Sequence, residues 1–235
     1  MDSQFPIVVR SMLILAGSIV VLLGIAWFSL ITIGNVKNRV ARAPDINSHV
    51  AARIYLSYKS RTGGVGDLET YQRFSVLPTP QSSLDTLKEK LRVSPQILMI
   101  VDRLTDEGSR AAGYAIVYPL NKRACVRITR GALKSGLGIE VGDLCQNPRN
   151  ASGFYIGGLG ASGADIDQTA TLVYFANHLS QLIDQAPAAR YLFAKPASNP
   201  GSYWMKKVGF VPIDLKNTEI WHLGDTPIRQ IFHRN

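Results

Sequence analysis

Cysteine is nearly absent from this chain, with two residues, Cys125 and Cys145, in 235. That scarcity excludes the disulfide framework of a small secreted scaffold and fits a reducing compartment. Neither cysteine belongs to a close Cys or His pair and the four histidines are scattered, so no metal site is expected. No Ser-His-Asp or Cys-His spacing points to a nucleophilic hydrolase. Internal repeats and low-complexity tracts are also missing, which argues against a solenoid or a disordered tail.

Charge is absent over one long stretch. Ser11 to Val36 runs for 26 residues without a charged side chain, between Arg10 and the basic group Lys37, Arg39 and Arg42. At about 1.5 Å per residue, about 20 helical residues cross a hydrocarbon core roughly 30 Å thick. A cleaved signal peptide has a shorter apolar region, of about 7 to 15 residues. Ala41-Arg42-Ala43 imitates a cleavage site, but Pro44 and the nearby arginines argue against processing. The reading is an uncleaved single transmembrane helix. Gly17, Ser18 and Gly24 would let a second helix approach closely, so a membrane-protein partner is conceivable there.

Basic residues set the orientation. Between residues 37 and 61, Lys37, Arg39, Arg42, Arg53, Lys59 and Arg61 face only Asp45, and this surplus of five is more than half of the net +9. The expectation is an outside N-terminus, a cytoplasmic C-terminal domain, and contact of residues 37–61 with anionic lipid headgroups. The remainder is only mildly basic, which argues against nucleic-acid binding. The expected organisation is a tail over 1–10, a span over 11–36, a basic connector over 37–66 ending in Thr62-Gly63-Gly64-Val65-Gly66, and one domain over 67–235.

Within that domain, Ser82 and Asp85 before Leu84, Leu87 and Leu91 predict a helix over 82–92. Gln96 to Leu104 and Ala112 to Leu120, joined by Asp106-Glu107-Gly108-Ser109, predict an antiparallel hairpin. Lys122 to Arg130 reads as a short helix ended by Gly131. A strand over Phe154–Leu159, a small-residue loop, and a helix over 166–185 capped by Asp165 come next, with Leu172, Phe175, Ala176, Leu179, Leu182 and Ile183 on one face. Tyr191 to Lys195 then returns as a strand, which requires a crossover. Asn199, Pro200 and Gly209 bound a last helix, and Glu219 to Leu223 forms a final strand.

This order resembles the GNAT superfamily of acyl-CoA-dependent N-acyltransferases over about residues 68–223. The residues that carry the likeness are Gly113-Tyr114-Ala115-Ile116-Val117-Tyr118-Pro119-Leu120, Phe154-Tyr155-Ile156-Gly157-Gly158-Leu159, and Asn199 through Gly209-Phe210. The resemblance implies an α+β fold with a mixed, mostly antiparallel central sheet flanked by helices. It also implies acetyl-CoA or another acyl-CoA as co-substrate, with Gly160, Ala161, Ser162, Gly163, Ala164 and Asn199 as the residues holding it. Small residues let backbone N–H groups approach a diphosphate at a helix start. A backbone N–H at Gly158, Leu159 or Gly160, represented by Leu159, would polarise the thioester carbonyl. Tyr203 would protonate the departing thiolate, although Met205 holds the position usual for that acid.

The loop departs from the family pattern. No basic residue or Gln precedes or enters it, and Asp165 and Asp167 stand where a phosphate would come close. Two carboxylates there also suit a purely structural, well-capped helix. Asp102, Glu219 and His222 are candidate bases, each with an ordinary surface or strand role as its alternative. Three functions stay open: a membrane-anchored N-acyltransferase acting on an amine near the bilayer, a catalytically inactive GNAT-like subunit of a membrane complex, and a lipid-surface adaptor working through residues 37–61.

Overall fold

The computed structural model describes residues 53–75, 81–197, 202–203, 205–206, 209–213 and 219–223. Among them no helix is long and apolar enough to cross a membrane. The uncharged stretch Ser11–Val36, Asn199 and the chain after Leu223 lie outside the described residues.

Seven strands form one sheet in the order β1-β2-β3-β4-β5-β7-β6. They are β1 (Tyr58–Thr62), β2 (Leu98–Thr105), β3 (Gly108–Leu120), β4 (Gly153–Ala161), β5 (Tyr191–Ala194), β6 (Phe210–Pro212) and β7 (Trp221–Leu223). All neighbours are antiparallel except β4 and β5, which run parallel. A parallel step needs a long crossover, and helix α4 (Asp165–Gln185) supplies it. Also helical are α1 (Leu68–Phe74), α2 (Gln81–Val93) and α3 (Lys122–Thr129). The hairpin, the crossover unit and helices α2 and α3 agree with the sequence reading, whereas α1 has no counterpart in it.

Two sheet faces carry separate cores. On one, Leu68, Leu87, Leu91 and Ile128 from the helices meet Ile100, Tyr114, Ile116 and Tyr118. On the other, Leu179, Leu182 and Ile183 of α4 meet Val117, Phe154 and Leu192. A third cluster joins Ile54 and Tyr58 to Met99, Val101, Ala115 and Ala170.

Several local expectations need correction. Residues 53–62, assigned by sequence to the connector, belong to the folded body: residues 53–57 are helical, Ile54 is 1% exposed, and β1 pairs along its length with β2. Its burial pattern, one buried residue followed by four exposed, is that of an edge strand and carries no alternation to read. The apolar face of α4 is right in its second half only. Nearer its start the buried residues are Asp167, Thr169, Ala170 and Thr171, and the helix lies there against Gly113, where a Cβ would come 2.2 Å from Thr171 Oγ1. Asp165 is the first helical residue, and the cap is Ala164, which makes no side-chain cap bond. The final strand starts at Trp221, so Glu219 lies before it.

Candidate functional site

β4 parts from β5 halfway along. Pairing runs from Gly153 opposite Tyr191 to Ile156 opposite Ala194 and stops, while β4 continues to Ala161 against β3 alone. A bulge between Ile116 and Val117 leaves Gly157 unpaired in that ladder and bends the strand there. Past Ala161 the ladder is extended by Ser162 N–H, which donates to Ala112 O at 2.8 Å. N–H groups in an antiparallel pair alternate in direction. With Ser162 pointing at β3, Leu159 and Ala161 point the other way, toward the side that β5 has left. Leu159 is 36% exposed, and no strand faces its N–H among the described residues.

Two glycines in this half of β4 are bare for a packing reason. A Cβ on Gly157 would meet Tyr118 Cε2 at 2.5 Å, and one on Gly160 would meet Phe74 O and Tyr114 Cε1, both at 2.5 Å. Gly158 is looser, with Tyr114 at 3.4 Å. Phenol rings therefore lie on the backbone of this half-strand. Tyr71 packs edge-on to Tyr114 at 5.0 Å, and Tyr118 stacks on Tyr155 at 6.2 Å. Burial pushes the phenols of Tyr114 and Tyr155 up to about 12. Lys90 of α2 is 3% exposed and sits 4.8 Å from the Tyr118 ring centre. Desolvation lowers its ammonium to about 8, against an opposing pull from Asp143.

The sequence reading places a loop over residues 160–164, but Gly160 and Ala161 are strand residues, and the turn is Ser162-Gly163-Ala164. Its internal bonds are made by Ser162: the hydroxyl donates to Asp167 Oδ2 and accepts from Ala164 N–H at 3.3 Å. Asp167 is 7% exposed and turns back under the turn, where its Oδ1 accepts from the Tyr58 hydroxyl at 2.5 Å. Asp167 therefore does not stand open toward an incoming phosphate, whereas Asp165 is exposed. Gly163 is open as well, with nothing within 4 Å of a Cβ built on it.

The other candidates are dispersed. Asp102 is 4% exposed and held by Arg61 Nε at 2.8 Å, which removes it as a free base. Glu219 pairs with Lys195, which lowers its carboxyl. His222 lies in β7 between Phe193 of β5 and Val211 of β6. Tyr203 is 48% exposed on helical backbone, and Met205 packs against the α4-side core. Leu159, Gly160 and Ala161 thus close β4, and Ser162 to Ala164 make the turn that follows it. Among the described residues no three His, Cys, Asp or Glu side chains gather to hold a metal ion. Missed by sequence reasoning were Tyr58, whose partner is 109 positions away, and Arg103, whose guanidinium comes within 3.9 Å of Asp167.

A mostly antiparallel sheet with a parallel β4–β5 step, a splay after four pairs, and a crossover helix starting at a small-residue turn has the GNAT-like architecture. No family model matches the chain, and no curated protein matches it. Among solved structures it is similar to GphF, a GNAT-like decarboxylase in complex with isobutyryl-CoA, at 15% identity over 63% of this chain and 71% of that one, with a TM-score of 0.40. It is also similar to AtaTR bound with acetyl-CoA, at 19% identity over 74% and 96%, with a TM-score of 0.42. A third is the mosquito arylalkylamine N-acetyltransferase like 5b, at 11% identity over 71% and 97%, with a TM-score of 0.38. What those proteins bind is a property of those proteins.

Proposed function

We propose that this chain is a membrane-anchored, acyl-CoA-dependent N-acyltransferase that acts on an amine close to the bilayer. The observation that carries the reading is the splay: β4 runs on past its last pair with β5 and turns the Leu159 N–H toward the opened side, next to the turn that starts α4. A thioester carbonyl accepting from that N–H would be polarised toward attack. A neutral amine then adds to the carbonyl carbon, the tetrahedral oxyanion is held by the same donor, and the C–S bond breaks as the coenzyme leaves as its thiol. Tyr203 is the proposed donor of that proton, and the proton shed by the attacking nitrogen passes to water and in turn restores the phenol. Gly160 to Ala164, with Asn199, would hold the coenzyme.

The uncharged stretch Ser11–Val36 supports an anchor, and the basic surplus over 37–61 supports a cytoplasmic domain beside anionic lipid. The second reading, an inactive GNAT-like subunit within a membrane complex, draws on the ion pairs that occupy Asp102 and Glu219. Calorimetric titration of the full chain in non-ionic detergent with acetyl-CoA and longer acyl-CoAs separates the two, with transfer to a model amine as the second measurement. Binding with turnover supports the enzyme, binding without turnover supports the inactive subunit, and no binding at millimolar ligand removes the acyl-CoA reading altogether.

A further inference from the structure

At the end of the sheet beside the start of α4, two arginines have no hydrogen-bonded carboxylate among the described residues. β2 and β3 pair in a register that sets Arg103 directly opposite Arg110. Side chains opposite one another in an antiparallel pair share a face at about 4.5–5.5 Å between Cβ atoms, and like charges there are destabilising. Among the described residues Arg103 has one carboxylate in reach, Asp167 at 3.9 Å, beyond hydrogen-bonding distance. That carboxylate is already occupied by Tyr58 and Ser162. Among the described residues Arg110 has no ion pair, and both arginines are exposed.

The pair lies on the α4 face. Tyr58 stands opposite Arg103 on the β1 side, and its hydroxyl reaches Asp167 of α4. On the β4 side, Ser162 N–H donates to Ala112 O, so the turn that starts α4 leaves β4 two residues along β3 from Arg110. Arg53 adds to the same neighbourhood, since its charge and that of Arg103 both oppose the rise of the Tyr58 phenol. Against these stand the exposed Asp165, Asp106 and Glu107, none within ion-pair distance of either arginine.

Two guanidinium forks held side by side match a group with several anionic oxygens, which accepts from both at once. We propose that Arg103 and Arg110 form a phosphate-recognition pair, closed on the β4 side by the Gly163–Ala164 turn, whose ligand is the phosphate-bearing end of an acyl-CoA. The choice of ligand rests on the acyl-CoA reading above; the phosphate chemistry rests on the arginines. The positive charge missing from the turn's own sequence is supplied by the neighbouring hairpin.

The test compares the full chain in non-ionic detergent with its R103A/R110A and R103K/R110K variants, titrated with coenzyme A, dephospho-coenzyme A and inorganic pyrophosphate. Wild type should bind with an affinity that weakens as salt rises, the alanine pair should lose at least about tenfold, and the lysine pair should fall between, because it keeps charge without the fork. Thermal melts check that all three chains are folded at the titration temperature, since the alanine pair trades relief of the Arg103–Arg110 repulsion against loss of the Arg103–Asp167 contact. Undiminished binding of coenzyme A by the alanine pair overturns it and spares the acyl-CoA reading. Binding of pyrophosphate but not coenzyme A, lost in the alanine pair, does the reverse; no binding of either removes both.

Discussion

Tyr58, the first residue of β1, donates its hydroxyl to Asp167 in the first turn of α4 at 2.5 Å, across 109 positions of sequence. The same carboxylate accepts from Ser162, so one buried group ties the edge strand to the turn where β4 ends. Replacing Tyr58 with Phe leaves Asp167 short of a donor. Stability should fall by about 1.5–3 kcal/mol, the usual worth of a hydrogen bond to a charged group, as read from urea unfolding of the full chain. The phenol is pushed up to about 12, chiefly by burial and then by its bond to Asp167. A raised phenol contributes stability that is complete below pH 10 and lost as pH rises from 10 through 12.

Lys90 has the opposite sign. Its ammonium is lowered to about 8 by desolvation, so between pH 8 and 10.5 the unfolded chain holds the proton more tightly than the folded one. Stability should therefore rise with pH from 8, by at most about 1.4 kcal/mol per unit for one proton. The rise ends early, because burial holds the Cys125 thiol up to about 12 and its contribution is lost above pH 9. A Lys90→Met variant should show no rise between pH 8 and 9; an unchanged slope would mean that the ammonium is not the source.

Two neighbouring glycines should behave differently. Gly160→Ala places a Cβ 2.5 Å from the backbone oxygen of Phe74 and from Tyr114, so overpacking should cost about 1–3 kcal/mol. Gly163→Ala meets nothing within 4 Å and should change stability by less than about 0.5 kcal/mol. Parallel melts of the two variants check this. Any loss of acyl-CoA affinity in Gly163→Leu then reports on the ligand, because the fold does not need the glycine.

Asp143 is fully buried and is held by Arg127 Nη1 at 2.9 and 2.7 Å and by Glu140 N–H at 3.0 Å. Arg127→Ala strips the counter-charge from a buried carboxylate. A loss of about 3–5 kcal/mol is expected, and chemical denaturation should show it as a shifted midpoint at unchanged slope.

Local chemistry was legible where neighbours in sequence decide it. Gly131 and Gly209 end their segments at φ of 69° and 96°, and Gly108 turns the hairpin at 126°, a backbone region that favours glycine. The β4–α4–β5 crossover followed from apolar spacing and turn residues. What stayed hidden depends on distant partners. β1 is a polar edge strand whose single buried side chain, Tyr58, answers to α4, so neither period nor composition marks it. By sequence spacing alone the α4 turn reads as too acidic for a phosphate, because nothing local turns Asp167 inward, while the fold points it at Tyr58 and Ser162. Arg103 and Arg110 are flagged by their symmetric spacing about the Asp106–Glu107 turn, once that turn is known to be tight.

The four-pair seam between β4 and β5 divides the sheet into unequal parts. β1 to β4 are joined by long antiparallel ladders, whereas β5, β7 and β6 meet one another through two and three residue pairs. Local opening follows the weakest contiguous contacts, so this smaller part should release its amide hydrogens to solvent before the hairpin does. A break in the ladder that frees backbone donors on β4 therefore also sets where the domain unzips.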